Sequence, residues 1–145
     1  MTGDEVKKLI EGYAQALNSR DIDRLMQYYT DDCVRADALT GKLQGKKEVE
    51  GFYITLMSAF PDLKYTVDNV LATDDVAAVE WTFSGTHQGA FPPFESYGAT
   101  GRKVELSGAT FCDFRDGKIA AERIHADYGT LVEQLGITPR IRKAA

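Results

Sequence analysis

At 145 residues, with 43% hydrophobic and 27% charged residues, the chain has the length to bury one core and the composition of a globular protein, read here as one domain spanning 1–145. A formal net charge of −5, with no basic cluster before the short run at 140–143, argues against nucleic acid as a partner; that run reads as a solvated tail. No apolar stretch is long enough to cross a bilayer, so no membrane is expected as a partner. The amphipathic, charged N-terminus is no secretory leader, and Cys33 and Cys112 lie far apart without CxxC spacing, so reduced thiols in a cytoplasmic protein are expected.

Val6, Leu9, Ile10, Tyr13 and Leu17 recur at helical spacing behind Asp4 and Glu5, which suit a helix N-terminus. Asp21 reads as the N-cap of a second helix carrying Ile22, Leu25, Met26 and Tyr29, ended by Thr30-Asp31-Asp32. A short strand is expected over 33–39, closed by Thr40-Gly41, with 42–44 too short to assign. A third helix opens at Lys46 or Lys47, presents Val49, Phe52, Tyr53, Leu56 and Phe60 on one face, and stops at Pro61. The period then changes to two, which predicts strands over 63–71, 77–86, 103–114 and 119–126. Thr73-Asp74-Asp75 and Asp116-Gly117 read as turns between neighbours, so the sheet should be mainly antiparallel. A last short helix has Leu131, Val132 and Leu135 as its apolar stripe and Gly136 as its stop. Helices followed by strands indicate an α+β fold: a strongly bent sheet with about three helices in its concavity. The long stretch from His87 to Arg102 is either a hairpin connection whose Phe91, Phe94 and Tyr97 pack on the domain or a second subunit, or a substrate lid.

Strand alternation places Arg123, His125 and Asp127 on one face, ending at the start of the last helix. Asp127 reads either as the N-cap of that helix or as a general acid–base carboxylate poised by an apolar surrounding. His125 is a candidate proton-transfer partner, and Arg123 pairs with a carboxylate or lies on the surface. His87 shares its parity with Trp81 and Phe83, which would put an imidazole and two rings on one face, while Glu80 points out. No HExxH, paired CxxC, GxGxxG, GxxxxGK[ST] or GxSxG occurs, so neither a metal nor a nucleotide cofactor is expected.

Ala59-Phe60-Pro61-Asp62-Leu63, Gly85-Thr86-His87-Gln88-Gly89, Gly101-Arg102-Lys103-Val104-Glu105, Gly117-Lys118-Ile119 and Gln134-Leu135-Gly136 resemble the SnoaL-like polyketide cyclases, also called ester cyclase-like, over most of the chain. The resemblance implies a cone-shaped α+β barrel of the nuclear-transport-factor-like superfamily around a pocket. It also implies a homodimer joined through the outer face of the sheet, and aldol ring closure by one acidic residue without a cofactor. Asp127 matches that residue and His87 matches a pocket histidine. The chain departs from the family at Val34-Arg35-Ala36-Asp37, where a His-Asp pair is common, and at Arg123, where an aromatic is common.

The reading is a cofactor-free enzyme acting on a small hydrophobic carbonyl compound, with Asp127, His125 and His87 as catalytic candidates. Tyr13, Tyr53, Trp81, Phe83, Arg35 and Arg123 are candidates for lining the substrate. One alternative is an epoxide hydrolase-like enzyme, with Asp127, Arg35 or Arg123, and Asp113 or Asp37 around a water. The other is a ligand-binding domain without catalysis.

Overall fold

The computed structural model describes residues 1–91 and 98–137; Phe94, Tyr97 and the basic run at 140–143 lie outside the described residues. Helix α1 (Gly3–Asn18) starts at Thr2, whose hydroxyl accepts the Glu5 amide while the Glu5 carboxylate accepts the Thr2 amide. Its buried stripe is Val6, Ile10, Tyr13 and Leu17. Asp21 caps α2 (Ile22–Met26) by accepting the Arg24 amide.

The expected second helix is cut short. The chain enters β1 (Tyr29–Asp37) at Tyr29, so Thr30, Asp31 and Asp32 belong to a strand rather than to a helix end. The Ile119 amide donates to the Tyr28 carbonyl at 2.7 Å, so the sheet captures the backbone before another helical turn can form. Tyr29 keeps its place in the core (1% exposed) from a strand instead of a helix.

Strand β2 (Gly41–Gln44) folds back on β1, and α3 (Lys46–Ala59) follows. Strands β3 (Lys64–Thr73), β4 (Val76–Thr86), β5 (Lys103–Arg115) and β6 (Lys118–Ala126) then precede α4 (Tyr128–Gln134). Asp116 and Gly117 both take positive φ (53° and 74°), as a two-residue hairpin between β5 and β6 requires. The sheet order is β2-β1-β6-β5-β4-β3. All pairs are antiparallel except β1 with β6, which run parallel. Among the described residues four helices and six strands form a cone-shaped α+β fold, with the core between the concave face of the curled sheet and the helices.

One irregularity in β6 decides the site. Asp113 pairs with Ala121 but the next residue, Phe114, pairs with Ile119, so Ala120 is an extra residue and β6 bulges there. Before the bulge Ile119 points into the core; after it the inward residues are Glu122 and Ile124. Arg123 and His125 are thereby turned outward.

Candidate active site

A cavity of ≈ 90 Å³ lies between the sheet and the helices. From the sheet, β4 contributes Trp81 and Phe83, β5 contributes Leu106 and Thr110, and β6 contributes Glu122 and Ile124. Strand β1 adds Arg35 and Asp37. Opposite them stand Tyr13 and Leu17 from α1, Phe52, Tyr53 and Leu56 from α3 with Phe60 just past its end, and Tyr128 and Leu131 from α4. Leu39, Thr40, Phe52 and Phe91 also line a wider recess of ≈ 440 Å³, so the two adjoin there. Gly108 lets Trp81 lie against the sheet: a Cβ on it would sit 2.6 Å from the indole ring. The indole N–H donates to Thr110 Oγ1 at 2.8 Å, which fixes the ring.

Into this apolar wall the chain sets a dense polar cluster. Arg35 and Glu122 are partners in the parallel β1–β6 register, and only 8% and 5% of their surfaces are exposed. The Arg35 guanidinium lies 3.8 Å from the centre of the Phe52 ring, a cation–π contact, and its Nη1 is 3.5 Å from Asp37 Oδ2. Burial works against the charge on Arg35, but Tyr53, Glu122 and Asp37 outweigh it and hold the group firmly protonated. Asp37 accepts the Leu39 amide at 2.7 Å and the hydroxyl of Tyr128.

Glu122 is different. Burial raises its carboxyl above the ordinary value of 4.5, offset in part by Arg35 and by the hydroxyl of Tyr29. Its Oε1 has no hydrogen-bond partner, nor have Arg35 Nε and Thr40 Oγ1. These are unused donors and acceptors on residues that line one cavity, which is how a site built for a polar part of a ligand differs from a core. The hydroxyls of Tyr13 and Tyr29 each lie 2.6 Å from that of Tyr53, and burial lifts all three phenols above their usual range. A ring-lined chamber with an under-coordinated carboxyl group, a fixed cation and tyrosine hydroxyls can move protons and stabilise negative charge on oxygen.

The model of the SnoaL-like polyketide cyclase family matches residues 7–135. The chain belongs to that family. No curated protein is significantly similar in sequence. Among solved structures, this SnoaL-like chain is 25% identical to AclR from Streptomyces galilaeus, a candidate hydroxylase, with a TM-score of 0.81, covering 95% of this chain and 100% of that one. It is 27% identical to IdmH from Streptomyces antibioticus, a candidate polyketide cyclase, with a TM-score of 0.73 and coverage of 90% and 98%. A Catenulispora acidiphila protein described as having a ketosteroid isomerase-like fold, solved with trimethylamine, is 15% identical with a TM-score of 0.74 and coverage of 90% and 93%, and shares the fold.

Of the residues singled out in the sequence, this SnoaL-like fold brings Tyr13, Tyr53, Trp81, Phe83 and Arg35 to the cavity wall. It does not bring Asp127, His125, His87 or Arg123 there, and for each the reason is physical. Asp127 is exposed and caps α4: its carboxylate accepts the Thr130 amide at 3.1 Å and the Thr130 hydroxyl at 2.6 Å. Those two bonds hold its carboxyl below the usual range, the opposite of what an acid–base group in an apolar cup needs. His125 is on the outer face, its ring edge-on to exposed Phe111 at 5.9 Å. Arg123, on the same outer face, pairs with Asp113 at 2.8 and 3.4 Å. His87 is fully buried but absent from the cavity wall. It stacks on Phe60 at 5.5 Å, and its Nδ1 accepts the Thr100 amide at 3.1 Å, so it pins the two ends of the 87–102 loop. Burial depresses its pKa and keeps the imidazole neutral.

The groups that the sequence reading passed over are Glu122, Tyr29 and Tyr128. Tyr29 was hidden by its fit to a helical stripe. Glu122 carried one legible signal. Ile119 and Ile124 are the large apolar residues of β6 and sit five apart, an odd spacing that one buried strand face cannot accommodate without a bulge.

Proposed function

We propose that this SnoaL-like protein is a cofactor-free enzyme that moves a proton between carbon and oxygen in a small apolar carbonyl compound of the polyketide type, with Glu122 as the acid–base group. The observation that carries the reading is the Glu122 carboxyl: buried among aromatic rings, raised toward neutrality, and with Oε1 free of any partner. A base needs a lone pair not already taken by the protein and a pKa shifted up toward the working pH; Oε1 meets the first and burial acts in the direction of the second. Glu122 would take a proton from the carbon next to a carbonyl. The enolate carbon would then attack a second carbonyl of the same molecule, and the proton would return from Glu122 to the new alkoxide. Arg35 provides fixed positive charge for the oxygen that carries the developing anion. Exchange of the α-hydrogen of bicyclic aromatic ketones in D₂O, followed by NMR, tests the step without knowledge of the natural substrate. Glu122→Gln should lower the exchange rate about 10²–10⁴-fold; wild-type exchange in that variant rejects the assignment.

A second reading rests on a separate observation: Asp37, Arg35 and Glu122 form an acid–arginine–acid set on one cavity wall. One carboxylate could activate water while the protonated one delivers a proton to an epoxide oxygen. Diol formation from small epoxides, abolished by Asp37→Asn, would select it over ring closure.

The same proposal includes a homodimer through the outer face of the sheet. Leu71, Ala78, Phe111 and Arg123 are register neighbours across β3, β4, β5 and β6. Leu71 and Phe111 are 67% and 42% exposed there. Light scattering should give twice the chain mass, and Phe111→Glu should return it to the monomer value.

A further inference from the structure

The hydroxyls of Tyr13 (α1), Tyr53 (α3) and Tyr29 (β1) form a row with 2.6 Å between neighbours. Tyr29 at one end lies against the Glu122 carboxyl and takes no part in the cavity wall; Tyr13 at the other end lines the cavity, as Glu122 does. A phenol has one proton to donate, and burial keeps these phenols protonated. A row of single-proton hydroxyls can therefore point in only two concerted directions. An ionised Glu122 draws the row toward itself: Tyr29 donates to the carboxylate, Tyr53 to Tyr29 and Tyr13 to Tyr53, which leaves Tyr13 with only a lone pair to show the cavity.

We propose that the tyrosine row is a polarity switch worked by Glu122, turning Tyr13 from acceptor to hydrogen-bond donor when Glu122 takes up a proton. This deepens the acid–base reading of the site and rests on it. When Glu122 removes a proton from substrate carbon, the C–H pair of electrons passes to the carbonyl oxygen and the proton stays on Glu122. Rotation of the neutral carboxyl group then brings its protonated oxygen round to Tyr29, to which it donates; the row turns over, and Tyr13 presents its O–H to the cavity as the oxyanion appears. No proton leaves any tyrosine. The donor is thus strongest after proton removal, which is the condition for accelerating the step rather than for holding the substrate. It selects substrates whose acidic C–H faces Glu122 while the carbonyl oxygen reaches Tyr13. The other titratable groups facing Glu122 are Arg35 and Cys33 on β1, Cys112 on β5 and Tyr65 on β3. Arg35 is firmly charged, and burial raises both thiols and the Tyr65 phenol.

The probe is p-nitrophenol, whose bound anion is read by absorbance at pH values above the ionisation of the free phenol. Its phenolate mimics the enolate oxygen. If binding requires the donor state, Glu122 must take up a proton, and the dissociation constant should weaken about tenfold per pH unit above the ionisation of Glu122. Glu122→Gln, whose amide can donate permanently to Tyr29, should bind the anion more tightly than wild type at high pH, with no slope. Direct repulsion between phenolate and carboxylate would also produce a slope in the wild type, so the row itself is tested by Tyr29→Phe, outside the cavity wall, and by Tyr53→Phe. Either break should reduce the slope to less than about twofold per pH unit. The full slope in both Tyr→Phe variants, or its persistence in Glu122→Gln, overturns the switch. The acid–base assignment is judged separately, by the exchange rate of Glu122→Gln, so the two can fail independently.

Discussion

The charge architecture of the cavity makes a quantitative prediction about Arg35. Replacing it with Met keeps the length of the side chain and much of its contact with Phe52, but removes the only guanidinium among the described residues of the cavity wall. Deleting one partner of a buried charge set costs about 3–5 kcal/mol, because the remaining charges are left uncompensated. The lower end applies here: Asp37 retains the Leu39 amide and the Tyr128 hydroxyl, and Glu122 can relieve itself by taking up a proton. The lost cation–π contact, about 1 kcal/mol, is offset by the thioether against the same ring. The expected cost is about 3 kcal/mol near neutral pH, a fall of roughly 10 °C in Tm at this chain length. The pH dependence has a definite sign. Arg35 lowers the pKa of Glu122, so its removal raises the folded-state value further above the ordinary 4.5. A raised folded-state pKa means that stability is fully present below about 4.5 and is lost as pH rises through the folded value. The part of the cost owed to Glu122 must therefore shrink in acid and reach its full size only above the folded pKa. Urea denaturation of wild type, Arg35→Met, Glu122→Gln and the double variant at two pH values closes a cycle. The double variant should recover about 1 kcal/mol or more relative to the sum of the singles at neutral pH, and little in acid. Additive costs at both pH values would mean that the two groups do not sense one another, and the electrostatic account of the site would fail.

Two further substitutions separate the site from its surroundings. Asp127→Asn keeps a side chain that caps helices well, so both melting temperature and exchange activity should stay close to wild type; a hundredfold loss of activity with intact folding would return the acid–base role to position 127. Gly108→Ala puts a methyl group 2.6 Å from the indole of Trp81. Overpacking of this kind costs about 1–3 kcal/mol. Because Trp81 is the one tryptophan of the chain, its fluorescence should shift directly as the ring is displaced; an unchanged spectrum would contradict the close contact.

Much of the fold could be read from residue periodicity because most elements obey one period from end to end. Val6 to Leu17 is a helix stripe, and Trp81 and Phe83 alternate with outward Thr82 and Ser84 on a regular strand. Cavity residues on these regular elements, Tyr13, Tyr53, Trp81 and Phe83, were legible for the same reason. Periodicity failed where an element changes character within a few residues. Leu25, Met26 and Tyr29 fit a helix, but the parallel pairing of β1 with β6 is a contact between positions about ninety apart, which no local pattern encodes.

The second failure has a chemical consequence. The bulge at Ala120 shifts β6 by one residue, so every side chain after it changes face. Without the bulge, Arg123 and His125 would point into the cone and Glu122 would point out. The sequence would then place a cation and an imidazole in the chamber and a carboxylate on the sheet exterior, the reverse of the observed site. With it, Ile124 and Glu122 enter the core together, and Arg123 finds Asp113 on the surface. Leaving Ala120 unpaired, at the loss of one regular pairing in the ladder, is thus what lets this sequence bury Glu122 in the SnoaL-like cavity. Excising Ala120 would leave a regular ladder in which Ile119 and Ala121 keep Phe114 and Asp113 as partners and Glu122 still points inward, so the deletion variant should retain the buried acid; a second residue inserted beside Ala120 would be the change that exchanges the two faces.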